Sequence, residues 1–137
     1  MEYGIRIRLA EPYATAVGLV REALKAQGFG VLTEIDVTAT LREKLGEEME
    51  DYVILGACNP PLAHRALQAD RQIGLLLPCN VVVRADPGSA SSPHGEATIV
   101  EALDPHVMAD VADQSGLNDV AEEAARRLNA ALGALTA

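Results

Sequence analysis

The run Tyr52-Val53-Ile54-Leu55-Gly56-Ala57-Cys58 constrains the chain more than any other stretch, because it is apolar without interruption and stops abruptly at Asn59-Pro60-Pro61. An aliphatic, β-rich run of this length bounded by turn residues reads as a strand buried on both faces. Asn59 suits a helix N-cap, since its side-chain oxygen can take an orphan backbone N–H, and Pro60 at the first helical position has no N–H to satisfy. A helix follows, with Leu62, Ala63, Ala66 and Leu67 on one face, and Gly74 closes the segment near Arg71 and Ile73. Leu75 to Arg84 reads as a second strand, in which Pro78 belongs at the beginning or at a bulge.

On the N-terminal side the hydrophobic period is two. Tyr3, Ile5, Ile7 and Leu9 alternate with Gly4, Arg6 and Arg8, and Val31, Thr33, Ile35 and Val37 alternate with Leu32, Glu34 and Asp36, which predicts two half-buried strands. Between them, Glu11-Pro12 opens a helix carrying Tyr13, Ala16, Val17, Val20, Ala23 and Leu24, stopped by Gly28. Thr40 and Glu43 have the spacing of a capping box, so Leu41 to Leu45 is expected as a short helix ended by Gly46, followed by a solvated acidic turn at Glu47, Glu48, Glu50 and Asp51 around Met49. After the central unit, Ala85 to Gly95 is a Gly/Pro/Ser-rich connection expected to be mobile. Glu96 to Leu103 is a further strand, with Ala97, Ile99 and Leu103 on one face and Thr98, Val100 and Ala102 on the other. Asp104-Pro105 repeats the cap-plus-proline helix start, giving a short helix to about Asp113. The last helix, from about Asn118, places Val120, Ala121, Ala124, Leu128, Ala131, Leu132 and Leu135 on one stripe, with Glu122–Arg126 and Glu123–Arg127 pairs outside it. Clean alternation in the first two strands favours an α+β two-layer sandwich over a parallel sheet covered on both sides.

A chain of 137 residues makes one domain, 1–137, large enough to fold without a disulfide or a structural metal. With three Tyr, one Phe and no Trp, aliphatic packing must carry the core. A formal charge of -9 argues against a nucleic-acid binder, which needs a basic face. No basic segment followed by an apolar stretch opens the chain and no apolar run has membrane-spanning length, so a cytoplasmic protein without membrane attachment is expected. Its two cysteines are then expected as reduced thiols.

The most specific constellation is Cys58-Asn59 and Cys79-Asn80. If the third and fourth strands are antiparallel neighbours, both pairs lie at one end of the sheet. Cys58 would precede a helix N-terminus, whose partial positive charge favours thiolate, while the plainer reading makes both cysteines small buried apolar residues. His64, on the first turns of that helix, is the candidate general base for a Cys58 nucleophile. Arg6 and Arg8 share one strand face and Glu34 and Asp36 another, so neighbouring strands would set these charges opposite one another, with Lys44 and Arg42 adding cations. His94 and His106 have no ligand spacing and read as surface residues. Met49 and Met108 read as core. Phosphate loops, nucleophile elbows and paired Cys-x-x-Cys motifs are missing from the sequence.

The segments Gly28-Phe29-Gly30-Val31-Leu32-Thr33-Glu34-Ile35-Asp36-Val37, Tyr52 to Pro60, Leu77-Pro78-Cys79-Asn80-Val81 and Leu41-Arg42-Glu43-Lys44-Leu45, with the terminal Ala-rich helix, resemble the domain of unknown function 302 family over nearly the whole chain. The resemblance implies a curved, mainly antiparallel sheet of about five strands backed by two long helices, with TATA-binding-protein-like topology. It implies no DNA binding, since fold does not carry function, and it supplies no catalytic residue. The loop from Ala85 to Gly95 looks longer than the family usually has. Three functional expectations stand together: a homodimeric domain holding a small molecule, or a soft metal such as Cu(I) or zinc shared across the dimer, through Cys58, Asn59, Cys79 and Asn80, with Glu34, Asp36, Lys44 and His64 as polar neighbours; a thiol enzyme using Cys58; or a structural homodimeric module.

Overall fold

A computed structural model describes residues 2–89 and 97–136. The strands are β1 (Gly4–Leu9), β2 (Gly30–Asp36), β3 (Tyr52–Cys58), β4 (Cys79–Ala85) and β5 (Thr98–Leu103), and the helices α1 (Tyr13–Ala26), α2 (Val37–Leu45), α3 (Pro60–Ala69), α4 (Pro105–Ala112) and α5 (Asn118–Leu135). All strand pairs among the described residues are antiparallel, in the order β1-β5-β4-β3-β2. Two long helices, α1 and α5, pack against each other and against one face of this sheet. The result is the two-layer α+β sandwich expected.

Register assigns the faces. Directly opposed residues share a face of an antiparallel ladder. Val53, Leu55 and Ala57 of β3 stand opposite Val83, Val81 and Cys79 of β4, and Val81 and Val83 stand opposite Ala102 and Val100 of β5. These form the helix-covered face, where Leu55, Val81, Val83 and Val100 are wholly buried beneath Val20 and Leu24 of α1 and Leu128 of α5. Tyr52, Ile54 and Cys58 are only partly buried, so β3 is covered on one face, not two; its uninterrupted apolar sequence conceals an alternation of burial. The opposite face carries Ile54, Val82, Ile99 and Arg84.

Several elements differ locally from the sequence reading. Asp36 caps α2 by accepting from the Ala39 N–H at 2.9 Å, so the helix begins at Val37 and not at Leu41; Thr40 instead donates to the Asp36 carbonyl at 2.8 Å. Leu75 and Leu76 belong to a 3-10 turn, Arg71–Leu76, and β4 starts only at Cys79, directly after Pro78. A bulge between Val31 and Thr33 breaks the alternation of β2. Val31, Glu34 and Asp36 consequently share the helix face, while Thr33 and Ile35 take the open face, and most of the strand is exposed because it lies at the sheet edge. On α5, Glu123 receives both Arg126 and Arg127, while Glu122 turns to His106. The expected mobility of the connection after Ala85 and the start of the last strand at Glu96 involve residues 90–96, His94 included, and lie outside the described residues.

Candidate functional site

β3 and β4 are adjacent, with Ala57 opposite Cys79. The end of one strand therefore meets the beginning of the other, and both cysteines come to one end of the sheet as the sequence suggested. Neither forms a disulfide; Cys58 is half-buried and Cys79 buried. Beside them, α3, α4, the 3-10 turns and the first half of α5 form a second apolar cluster, distinct from the one under α1. Between this cluster and the sheet end is a cavity of about 330 Å3, with Ala57, Cys58 and Cys79 on the strand side. Leu62 and Ala66 of α3, Pro105 and Met108 of α4, and Ala121 and Ala124 of α5 supply helical walls. Leu32, displaced outward at the β2 bulge and 69% exposed, also lines it and gives an apolar rim.

Local sequence explains this wall. α3 starts where it does because Asn59 Oδ1 accepts from the Leu62 N–H at 3.4 Å and Pro60 follows as the first helical residue. The same Asn59 donates through Nδ2 to the Gln27 carbonyl at 3.4 Å, and Arg127 donates to that carbonyl at 3.2 Å. Asn59 thus ties the start of α3 to the end of α1, where the Gln27 carbonyl also receives Arg127 of α5, and both ends of the Asn59 amide are engaged in the framework. Gly28, at φ 86°, leaves room for it: a Cβ there would stand 3.0 Å from Asn59 Nδ2. On the open face, Gly56 admits Thr33 and Pro78, whose Oγ1 and Cγ would collide with any Cβ. Asp104 Oδ1 caps α4 through the His106 N–H at 3.0 Å, with Pro105 as its first residue, as the sequence predicts.

The thiols differ in their surroundings. Burial pushes the Cys79 thiol up to about 11, helped by the nearby Cys58, so Cys79 is a protonated, apolar group at neutral pH. Its sulfur lies 3.9 Å from Met108 Sδ. Pro105, Met108 and Ala109 recur at i, i+3, i+4 on α4; the stripe was legible as core, but that it faces a cavity was not.

The other residues singled out from the sequence fall elsewhere. Glu34 pairs with Arg21 of α1 at 2.6 Å on the outer edge of the sheet. Asp36 is committed to the α2 cap. Lys44 is exposed on α2, Asn80 is exposed on β4, and His64 is exposed on α3; none of the three lines the cavity. Arg6 and Arg8 do not face Glu34 and Asp36, because β1 and β2 are opposite edges of the sheet. Arg6 and Arg84 instead converge on Glu101 at 2.9 and 3.0 Å, and Arg8 meets Asp86 at 2.7 Å. Burial alone would raise the Glu101 carboxyl, but its bonds from Arg6 and Arg84 outweigh that and hold it below the usual carboxylate range. Among the described residues, no group of three or more His, Cys, Asp or Glu side chains is placed to hold a metal ion, and no helix is long and apolar enough to cross a membrane.

The fold has a solved counterpart. The crystal structure of an uncharacterized conserved protein DUF302 from Bacillus stearothermophilus superimposes with a TM-score of 0.85 at 28% sequence identity, covering 97% of this chain and 98% of that one. A search of curated proteins finds no match. The model of the family described as Domain of unknown function DUF302 matches residues 5–135. The chain belongs to that family.

Proposed function

We propose that this domain binds a small, mainly apolar molecule in the cavity at the Cys58/Cys79 end of its sheet. The observation that carries the reading is the cavity itself: about 330 Å3, walled mostly by apolar side chains, with Cys58, Asn59, Cys79 and Met108 as its few polar or polarisable groups. Ligand sites of proteins begin at roughly this size, some 300 Å3, and are mostly apolar with a few placed polar groups. The interior buries no unpartnered side-chain nitrogen or oxygen among the described residues, so its demand is for shape and apolar area.

The thiol-enzyme alternative draws less support, since His64 stands exposed outside the cavity lining and Cys79 is held protonated by burial. The test is titration with an apolar fluorescent dye, comparing the native chain with Ala121→Leu, which grows a side chain into the cavity. Saturable binding by the native chain and its loss in a still-folded Ala121→Leu variant is the expected result. Equal binding by both proteins, or none by either, would overturn the reading.

A further inference from the structure

We propose that the cavity takes the unbranched hydrocarbon tail of a single-chain amphiphile of medium length and leaves the polar head at its mouth, a proposal that rests on the apolar-ligand reading and names the class of molecule. Register gives the shape of the space. Ala57 and Cys79 are directly opposed on the helix-covered face, so Cys58, one residue further along β3, belongs to the open face. Pro78 reaches the open face too, since its Cγ would stand 2.9 Å from a Cβ on Gly56. All four of these residues line the same cavity. The space therefore runs round the end of β3 and β4, from beneath the helices to the open-face side.

Such a path sorts ligands by flexibility. An alkyl chain bends at its single bonds, whereas a fused ring system of equal volume cannot turn the corner. Exposure shows which end is the mouth: Ala57, Cys79, Met108 and Ala121 are buried, while Leu32 is exposed and Cys58, Leu67 and Pro78 are half-buried. Among the described residues, no charged side chain lines the cavity and no buried side-chain nitrogen or oxygen lacks a partner. The Asn59 amide is already engaged by the Leu62 N–H and the Gln27 carbonyl. A polar group carried to depth would lose its water and gain no partner, so the head stays outside. Volume sets the length of the tail. At roughly 30 Å3 for a water-sized group such as a methylene, the cavity of about 330 Å3 holds a chain of about ten carbons. Two-tailed phospholipids are too large for it.

The test is calorimetric titration of the full chain with n-alkyl maltosides from hexyl to tetradecyl, each below its micelle-forming concentration. Affinity should rise roughly fourfold with each added methylene, as far as about ten carbons, and then level off because further carbons remain in water. Ala121→Leu, shown to be folded by circular dichroism, should level off about three carbons earlier, the number its side chain adds to the packed space. A nitroxide on the sugar head should broaden the methyl signals of Leu32 and Leu67 in the native chain and spare those of Ala121 and Ala124. Affinity that climbs through tetradecyl, that ignores chain length, or that levels off at the same length in Ala121→Leu would overturn the proposal, as would broadening centred on Ala121 and Ala124. Titration of the apolar dye in parallel separates the two readings. Dye bound without any dependence on alkyl length sinks the tail proposal alone, while a chain that binds neither dye nor maltoside sinks both.

Discussion

The two halves of α5 stand over two different interiors. Its C-terminal half, with Leu128, Ala131 and Leu132, closes a dense core against α1 and the sheet, where Val20, Leu24, Leu55, Val81, Val83 and Val100 have no exposed surface. The N-terminal half, with Val120, Ala121 and Ala124, stands over α3, α4 and the Cys58/Cys79 sheet end, where a cavity of about 330 Å3 remains. The contrast follows from composition and length. The dense core is built by long elements with branched side chains in strict register, and these interdigitate. The hollow one is ringed by short helices that begin at prolines and contribute several alanines, whose small side chains leave the space between the elements unfilled. One region is closely filled; the other leaves a cavity.

Core truncation should show the largest difference. Leu55→Ala or Leu128→Ala is expected to cost about 2–5 kcal/mol, as buried leucines do where neighbours cannot collapse into the gap. Ala121→Leu, which adds volume in the hollow region, should change stability by less than the roughly 1–3 kcal/mol that overpacking costs a filled core. Denaturant unfolding reads both, and a steep loss on Ala121→Leu would erase the distinction between the two regions.

Gly56→Ala comes next, because its new methyl must displace both Thr33 and Pro78. A loss of about 1–3 kcal/mol is expected. A neutral result would mean that the β2–β3–Pro78 contact is loose. Asn59→Ala removes the α3 cap and the tie to Gln27 together, and should cost about 1–2 kcal/mol. Apolar-dye affinity should fall with it if the tie holds the cavity wall in place.

The smallest effect concerns His106, which joins α4 to α5 beside the hollow region. Its Nδ1 lies 2.9 Å from Asp104 Oδ1 and its Nε2 2.8 Å from Glu122 Oε1. The hydrogen bond to Glu122, followed by that to Asp104, outweighs slight desolvation and raises the imidazole above its usual value. A raised folded-state value means that protonation favours the fold. This contribution is complete below the ordinary histidine value of about 6.5 and is lost as pH rises through the higher folded-state value. Subtracting the stability profile of His106→Gln from that of the native chain should expose this decline above pH 6.5; parallel profiles would show that the bridge contributes nothing.

Much of the dense region was legible in the sequence, because period and capping are local signals. The stripe on α5, the strand Tyr52–Cys58 and the caps at Asn59-Pro60 and Asp104-Pro105 stand where the residues indicated, and the strand expected over Glu96–Leu103 is found over Thr98–Leu103. The adjacency of β3 and β4, and with it the meeting of Cys58 and Cys79, followed from one correct assumption about pairing. What failed depended on non-local geometry. Strand order put Arg6 and Glu34 on opposite edges, and a single extra residue at Leu32 exchanged the faces of β2. Asp36 outcompeted Thr40 as a cap because its carboxylate stood at the strand end. A cavity leaves no periodic trace at all, since it is the absence of side-chain volume where several elements meet. Met108 and Leu32 therefore looked like an ordinary core residue and an ordinary strand residue.

The most direct test is methyl NMR of the folded chain during addition of a small apolar guest such as benzene or xenon, which enter dry protein cavities. Shifts confined to the methyls of Ala57, Ala66, Met108, Ala121 and Ala124, with Val83, Val100 and Leu132 unmoved, are the predicted result. Shifts centred on the α1-covered core or on the open sheet face, or no saturable shifts anywhere, would contradict the account.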